Sequence, residues 1–272
     1  MCRIRRMTRS LPVRLLLLVM ALSAAPAVIM ARAVEADPGP ISEDAASALA
    51  RMTRTLSASQ FAVRIHTIRT YAGPNGEVLH IAHDSKTMFR RPDRFAIETT
   101  GDDGSSKLLY DGNTAVVFAI EQGRYARFPA AGNIDTVLTS IAERTGADFP
   151  VAELLSENPS DTVLSGIVRG SQVDVATIDG VRCRHFFFSQ VPDAELELWT
   201  EDNERSLPRR LIVTYLTLPG RPILIAEISD WDFAIQASES AFAFDPPAGA
   251  IKVELASQAR GVRGPGQLGI PR

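Results

Sequence analysis

The sequence predicts a mainly β protein of the α+β class, in which helices lie against a large antiparallel sheet. Apolar and polar side chains alternate with a period of two along about eleven segments of the chain. Turn-forming groups such as Gly73-Pro74-Asn75-Gly76 and Asp179-Gly180 separate neighbouring segments, as they do in β-hairpins. Helical patterns occur only before the first run of strands and between the two runs. This order favours one sheet with helices packed on one face.

Residues 1–33 are predicted to form a secretory signal peptide. Five arginines and no acidic residue occupy Met1–Arg14, and the uncharged stretch Leu15–Met30 follows. This stretch has 16 residues, fewer than the roughly 20 that cross a bilayer core. It is followed by Ala31-Arg32-Ala33, which has the small-residue pattern of a cleavage site. The alternative is an uncleaved N-terminal anchor. After cleavage we expect no membrane-spanning segment and a periplasmic location.

The composition excludes several classes of function. The chain has 272 residues, 45% hydrophobic and 22% charged, as expected for a folded globular protein. Its formal charge is −3, and loss of residues 1–33, with six arginines and no acid, leaves 23 basic and 32 acidic residues, a charge of −9. Such an acidic protein is not expected to bind nucleic acid. The sequence contains no phosphate-binding loop or zinc-protease motif, and we expect no cofactor or metal.

The first half of the exported chain predicts one helix and six strands. A helix capped by Ser42 is indicated by apolar residues at helical spacing, namely Ala45, Leu49, Met52 and Leu56. The period then changes to two, and tight turns join six runs into an antiparallel meander. The runs extend from Phe61 to the turn at Gly73 and over Glu77–Phe89, Arg94–Thr99, Ser106–Tyr110, Thr114–Ile120 and Arg124–Phe128.

The second half predicts two helices and five more strands. The helices are expected at Asn133–Thr145 and Pro150–Ser156. The strands are expected at Gly166–Ile178, Val181–Gln190, Ala194–Thr200, Leu207–Leu218 and Pro222–Phe233. No linker separates two domains, so residues 34–255 are expected to form a single domain. Residues 256–272 are rich in Gly and Pro and are expected to be a flexible tail.

Some predicted strands are apolar on both faces, which is unusual for an antiparallel sheet with one face in water. The clearest cases are His185–Phe188, Leu211–Leu218 and Ile223–Ala226. Such strands are covered on both sides or enclose something. The sequence leaves two explanations open, namely helices that simply cover a core sheet, or a curved sheet that encloses a hydrophobic ligand.

No set of residues predicts catalysis. Glu195 and Glu197 share a strand face, but this spacing is also typical of a solvated surface, and Asp230 and Asp232 only flank the large ring of Trp231. Cys183 lies between two arginines, which could activate a thiol. On a strand, however, it shares a face with His185, and a buried, inert thiol is the more common case. We therefore expect the protein not to be an enzyme.

Several short motifs resemble known families. Met88–Phe95, Leu109–Phe118 and the closing Phe242–Ala250 are similar to the bacterial outer-membrane lipoprotein carrier (LolA-like) superfamily. A closer resemblance is to a family of predicted periplasmic proteins, domain of unknown function 2092. It rests on short motifs in a fixed order along Ser42–Leu255, namely Tyr110-Asp111-Gly112, Tyr125 to Pro129, Asp179 to His185, Leu198-Trp199, Leu207 to Arg210, Ser229 to Trp231 and Pro246 to Ala250.

This resemblance implies a strongly curved antiparallel sheet, or half-open β-barrel, closed by helices, with an apolar cavity that accepts acyl chains in the carrier relatives. It implies no catalytic residue. We therefore expect a non-enzymatic binding protein that holds a lipid or another hydrophobic ligand in the concave face. The candidate lining residues are the large rings Phe95, Phe118, Trp199, Tyr215 and Trp231, although a plain core position is the more common case for each of them. The alternative is an interaction or sensor domain that binds an envelope protein.

Overall fold

The computed structural model describes residues 41–73, 75–145, 150–158 and 164–255. The predicted signal peptide and the predicted C-terminal tail lie outside these described residues. Three helices stand in the described part of the chain, α1 (Glu43–Leu56), α2 (Ile134–Thr145) and α3 (Pro150–Leu154). None of the helices in these ranges is long and apolar enough to span a bilayer.

Twelve strands in the described ranges form one sheet, so the predicted mainly β fold is confirmed. Their order across the sheet is β12-β6-β5-β4-β3-β2-β1-β11-β10-β9-β8-β7. The sheet is curved and open, with β12 and β7 at its two edges. The strands are β1 (Gln60–Ala72), β2 (Val78–Arg90), β3 (Arg94–Gly101), β4 (Ser106–Tyr110), β5 (Thr114–Ala119), β6 (Arg124–Pro129), β7 (Arg169–Ile178), β8 (Val181–Gln190), β9 (Ala194–Glu201), β10 (Pro208–Tyr215), β11 (Ile223–Asp232) and β12 (Ile251–Lys252).

The sheet consists of two meanders that meet in its middle. Strands β1 to β6 pair in sequence order, and so do β7 to β11. The meanders are joined by antiparallel pairing of β1 with β11, where Ile65 lies opposite Ile228. This pairing connects segments about 160 residues apart, which local turn signals do not reveal.

The helices cover one face of the sheet, which we call the helix face. Helix α1 is capped as predicted, because the Ser42 hydroxyl accepts a hydrogen bond from the Ala45 amide at 3.3 Å. It buries Ala48 in addition to the predicted stripe, while Leu49 lies at the margin of the core. Alternate residues of the strands pack against the helices in a single apolar cluster. The largest fully buried side chains of this cluster include Met52, Phe61, Phe89, Phe95, Ile141 and Phe186.

The opposite face of the sheet, which we call the outer face, is crossed by the chain after β11. We call residues 235–247 the strap. From β11 the strap passes over β1, where the side-chain amide Nε2 of Gln60 donates to the Ile235 carbonyl at 2.5 Å. It continues to β6, where Arg127 donates to the Phe244 carbonyl at 2.6 Å. The chain then adds β12 in parallel beside β6.

Two predicted strands are too long by about three residues at one end, since β7 begins at Arg169 rather than at Gly166 and β10 ends before Leu218. The run Leu207–Leu218 was expected to be a single strand, but β10 ends at Tyr215. The chain must reverse before β11, and Gly220 adopts a positive φ of 77° in this turn. Leu218 is consequently 45% exposed at the turn, although its apolar character extended the strand pattern.

Candidate ligand groove on the outer face

A groove of about 670 Å³ lies on the outer face, between strands β1 to β5 and the strap. Strands β1 to β3 place side chains of even number on this face, because the odd-numbered ones pack against the helices. The apolar part of its lining consists mainly of Ala62, Met88, Ala96, Leu109, Phe118 and Phe244. The groove is therefore built by two elements far apart in sequence, the first meander and the strap.

The floor of the groove is a row of apolar side chains that runs across four strands. Ala62 pairs with Met88, Met88 with Ala96, and Ala96 with Leu109. The two alanines have no side-chain atom beyond Cβ, so the floor is deeper on β1 and β3 than on β2 and β4. This row provides apolar surface without closing the space above it.

A second row across the same strands carries charged side chains and forms the rim. It places Arg64, Lys86, Glu98 and Lys107 in successive register positions. Arg64 Nε lies 3.8 Å from Asp230 Oδ2, and Lys107 Nζ lies 3.3 Å from Glu98 Oε1. The exposed ammonium of Lys86 forms no ion pair with any residue in the described ranges.

The aromatic wall of the groove comes from the strap. The Phe244 ring packs on Phe118 and Tyr125, with centroid separations of 5.4 and 5.1 Å. The Arg127 guanidinium lies 5.7 Å from the centre of the Phe244 ring. Since this guanidinium also donates to the Phe244 carbonyl, the strap is held at both its backbone and its side chain.

Two arginines anchor the strap near its middle. Glu239 accepts hydrogen bonds from Arg90 Nη2 at 2.6 Å and from Arg94 Nε at 3.0 Å. These bonds, first from Arg94 and then from Arg90, lower the pKa of the Glu239 carboxyl below its usual value. The pKa of Arg94 is raised mainly by the same hydrogen bond. Arg90 also covers the buried Phe242 ring, 4.8 Å from its centre.

The structure brings one of the five predicted lining residues to the groove. Phe118 lines it. Phe95 is fully buried on the helix face against Tyr110, with ring centroids 5.7 Å apart. Tyr215 and Trp231 pack at the margin of that same core. Trp199 lies on the outer face but on β9, in a small cluster with Cys183. Whether the other four contact a ligand stays a prediction.

The remaining lining residues did not stand out in the sequence because they are recognised only through strand register. Ala62, Met88 and Ala96 are ordinary apolar positions until pairing aligns them. Phe244 is the exception, since it belongs to the Phe242-x-Phe244 motif near the end of the chain. That motif contributes to the resemblance to the LolA-like superfamily, and its second aromatic ring forms the wall of the groove.

The acidic residues considered for catalysis contact three different partners. Asp230 pairs with Arg64, Glu197 lies 3.0 Å from His185 Nε2, and Glu195 lies 3.9 Å from Arg221. In the described part of the chain, no group of three or more His, Cys, Asp or Glu side chains is arranged to hold a metal ion.

Cys183 is a buried thiol, as the strand pattern predicted. It is fully buried, and desolvation is the main cause that raises the pKa of its thiol above the usual value. A raised pKa disfavours the thiolate that a nucleophile requires. On the same face His185 stacks on Trp199 with ring centroids 3.9 Å apart, and Arg210 lies 5.4 Å from the Trp199 ring centre. Long polar side chains thus cover the apolar residues on this part of the outer face.

Residues 45–256 match the model of a family described as "Predicted periplasmic protein (DUF2092)". The chain belongs to this family. The resemblance drawn from the short motifs is thereby confirmed over most of the chain. None of the curated proteins compared with the chain matches it significantly.

Three solved structures are similar to this DUF2092 family member. The first is an uncharacterized conserved protein from Thermus thermophilus, with 10% identity and a TM-score of 0.45, over 78% of this chain and 99% of that chain. The second is a LolA superfamily protein from Nitrosomonas europaea, with 12% identity and a TM-score of 0.38, over 73% and 97%. The third is the lipoprotein LppX of Mycobacterium tuberculosis, with 15% identity and a TM-score of 0.41, over 72% and 100%.

Proposed function

We propose that the protein is an exported, non-enzymatic binding protein that holds the apolar part of a lipid or another hydrophobic ligand in the outer-face groove. The resemblance to the carrier proteins implied a ligand in the concave face of the sheet instead, and that location stays a prediction. The observation that carries this proposal is the apolar floor of the groove, which lies beneath the aromatic wall of the strap. The description of the family as predicted periplasmic proteins supports export, for which residues 1–33 would serve as the signal peptide. The alternative of a domain that binds an envelope protein stays a prediction.

The packing supports the groove rather than the helix face as the ligand site. On the helix face, Met52, Phe61 and Phe95 are fully buried against their neighbours. A ligand entering there would have to displace these side chains and lose their packing. The groove, in contrast, offers space while the core stays intact.

The size of the groove suits a single acyl chain. Its volume of about 670 Å³ lies within the range of roughly 300–1,000 Å³ that is common for ligand pockets. Each buried methylene contributes about 0.8 kcal/mol. Ten methylenes would therefore contribute on the order of 8 kcal/mol before the entropic cost of association, which is sufficient for measurable binding.

The test is a binding titration that compares the wild type with a variant in which a larger side chain fills the groove. Delipidated protein is titrated with a fluorescent fatty acid, and the wild type is compared with Ala96→Phe, which places a ring on the floor. Ala82→Phe is the matched control, because Ala82 on β2 also lies on the outer face but does not line the groove. We expect at least a tenfold loss of affinity in Ala96→Phe only. Wild-type protein that binds no probe, or equal binding by both variants, would overturn the proposal.

A further inference from the structure

We infer that the ligand of this groove is an anionic amphiphile, an apolar chain with one negatively charged head, and that Lys86 is the counter-ion of that head. The inference rests on the proposed function and adds the chemical class of the ligand. It applies equally to a carboxylate and to a phosphate head, because both present anionic oxygens to an ammonium group.

The charged side chains around the groove are unequally paired. Arg64 and Lys107 each have an acidic partner, Asp230 and Glu98 respectively. Glu98 lies directly opposite Lys86 in the sheet, but its carboxylate contacts Lys107. Lys86 is the groove cation that lacks a partner in the described part of the chain.

Lys86 also lies beside another cation. Lys86 pairs directly with Arg64 across β1 and β2. Like charges at directly opposite positions of a sheet are destabilising, since their Cβ atoms lie only about 5 Å apart. An anion bound between them would relieve this repulsion, and the gain would exist only in the complex. Asp230 relieves the repulsion between Arg64 and Lys86 only in part. Its carboxylate approaches Arg64 from β11 at 3.8 Å, and its side chain is 72% exposed.

The charges along the groove differ between its two ends. Asp245, which also lines it, follows Phe244 and so lies towards β5 and β6. It is about three strands from Lys86, or roughly 14 Å at the usual strand spacing. Asp245 disfavours an anionic head at that end, where the Arg127 guanidinium is already engaged by the carbonyl and the ring of Phe244. The head is therefore placed at β1 and β2, and the tail extends over Ala96 and Leu109 towards Phe244.

The experiment compares ligands that share one tail. Dodecanoate, dodecyl phosphate and the neutral dodecanol compete with the fluorescent probe at low salt and about pH 8, where a carboxyl head is ionised. We expect both anions to bind wild-type protein at least tenfold more tightly than the alcohol. The preference should shrink as salt is added, because the Lys86 site is exposed.

Three variants of lysine residues make the inference falsifiable. Lys86→Gln should remove the preference for the anions while the alcohol binds as before, and Lys86→Arg should keep it. Lys252→Gln is the matched control, since Lys252 is an exposed lysine on β12 outside the groove lining. If the anions and the alcohol bind wild-type protein equally, or if Lys86→Gln retains the preference, the inference is wrong while the proposed function stands. If no amphiphile binds, the proposed function itself fails.

Discussion

Arg91 holds two helical segments on the sheet with one half-buried cation. It follows β2, and its Nη2 donates to the Leu56 carbonyl at 3.0 Å and to the Leu155 carbonyl at 2.7 Å. Leu56 is the last residue of α1, and Leu155 directly follows α3. Burial lowers the pKa of the guanidinium, an effect that nearby Asp135 and Glu157 oppose. One side chain thus satisfies carbonyls that the two helix ends leave without intrahelical donors.

Replacement of Arg91 by alanine should destabilise the protein markedly. Hydrogen bonds that involve a charged group contribute about 1.5–3 kcal/mol, and Arg91→Ala would leave both carbonyls without their donor. We expect the free energy of unfolding, measured by urea denaturation with circular dichroism, to fall by roughly 2–3 kcal/mol. Arg54→Ala is the control, because Arg54 is exposed on α1. A loss no greater than that of the control would show that Arg91 does not hold these segments.

The strap is an element without regular hydrogen bonding apart from the 3₁₀ turn Glu239–Ala241. Its position depends on a few side chains, chiefly Glu239 with its two arginines and Phe244 with its two aromatic neighbours. Such a segment is expected to open more readily than the sheet beneath it, because few contacts must break. We therefore expect a ligand to enter the groove by a local movement of the strap.

The attachment of the strap should weaken in acid. Arg94 and Arg90 lower the pKa of Glu239 in the folded protein, so its ionised form is stabilised. That stabilisation is fully present above the usual pKa of glutamate, about 4.3, and is lost as the pH falls through the lower folded-state value. We expect Glu239→Gln to be less stable than wild type at pH near 7, and the difference to vanish in acid.

The measurement is urea denaturation of both proteins over a series of pH values, together with limited proteolysis of the strap at neutral pH. Glu204→Gln is the matched control, since Glu204 is an exposed glutamate with no ion pair in the described ranges. The Glu239→Gln strap should be cleaved faster than the control strap. A stability difference that stays constant from neutral to acidic pH would contradict this account.

At the scale of the whole molecule, local signals predicted the elements, and long-range pairing decided how they are arranged. The predicted strands Ser106–Tyr110 and Val181–Gln190 match the observed bounds, because alternation and tight turns are both local. The pairing of β1 with β11 and the path of the strap join distant segments, so no local sequence pattern predicts them. The same limit applies to the groove, since aromatic character selected Phe95, whereas register placed small Ala96 on the floor.

The joint between the two meanders should make the whole sheet unfold as one unit. Ile65 and Ile228 lie opposite each other across β1 and β11, and both belong to the single apolar cluster of the helix face. Since that cluster contains residues from both meanders, neither half can lose its packing without exposing the other. A cavity at this joint should therefore lower the stability of both halves equally.

Ile228→Ala should lower the free energy of unfolding by about 2–5 kcal/mol, since Ile228 is only 1% exposed. Tryptophan fluorescence reports β9 and β11 through Trp199 and Trp231, and far-ultraviolet circular dichroism reports the entire sheet. Both transitions should coincide in wild-type protein, and in the variant both midpoints should move together to a lower urea concentration. Val175→Ala on the exposed edge strand β7 should change neither by much. If the fluorescence transition preceded the dichroism transition, the second meander would be an independent unit and the joint would not couple the halves.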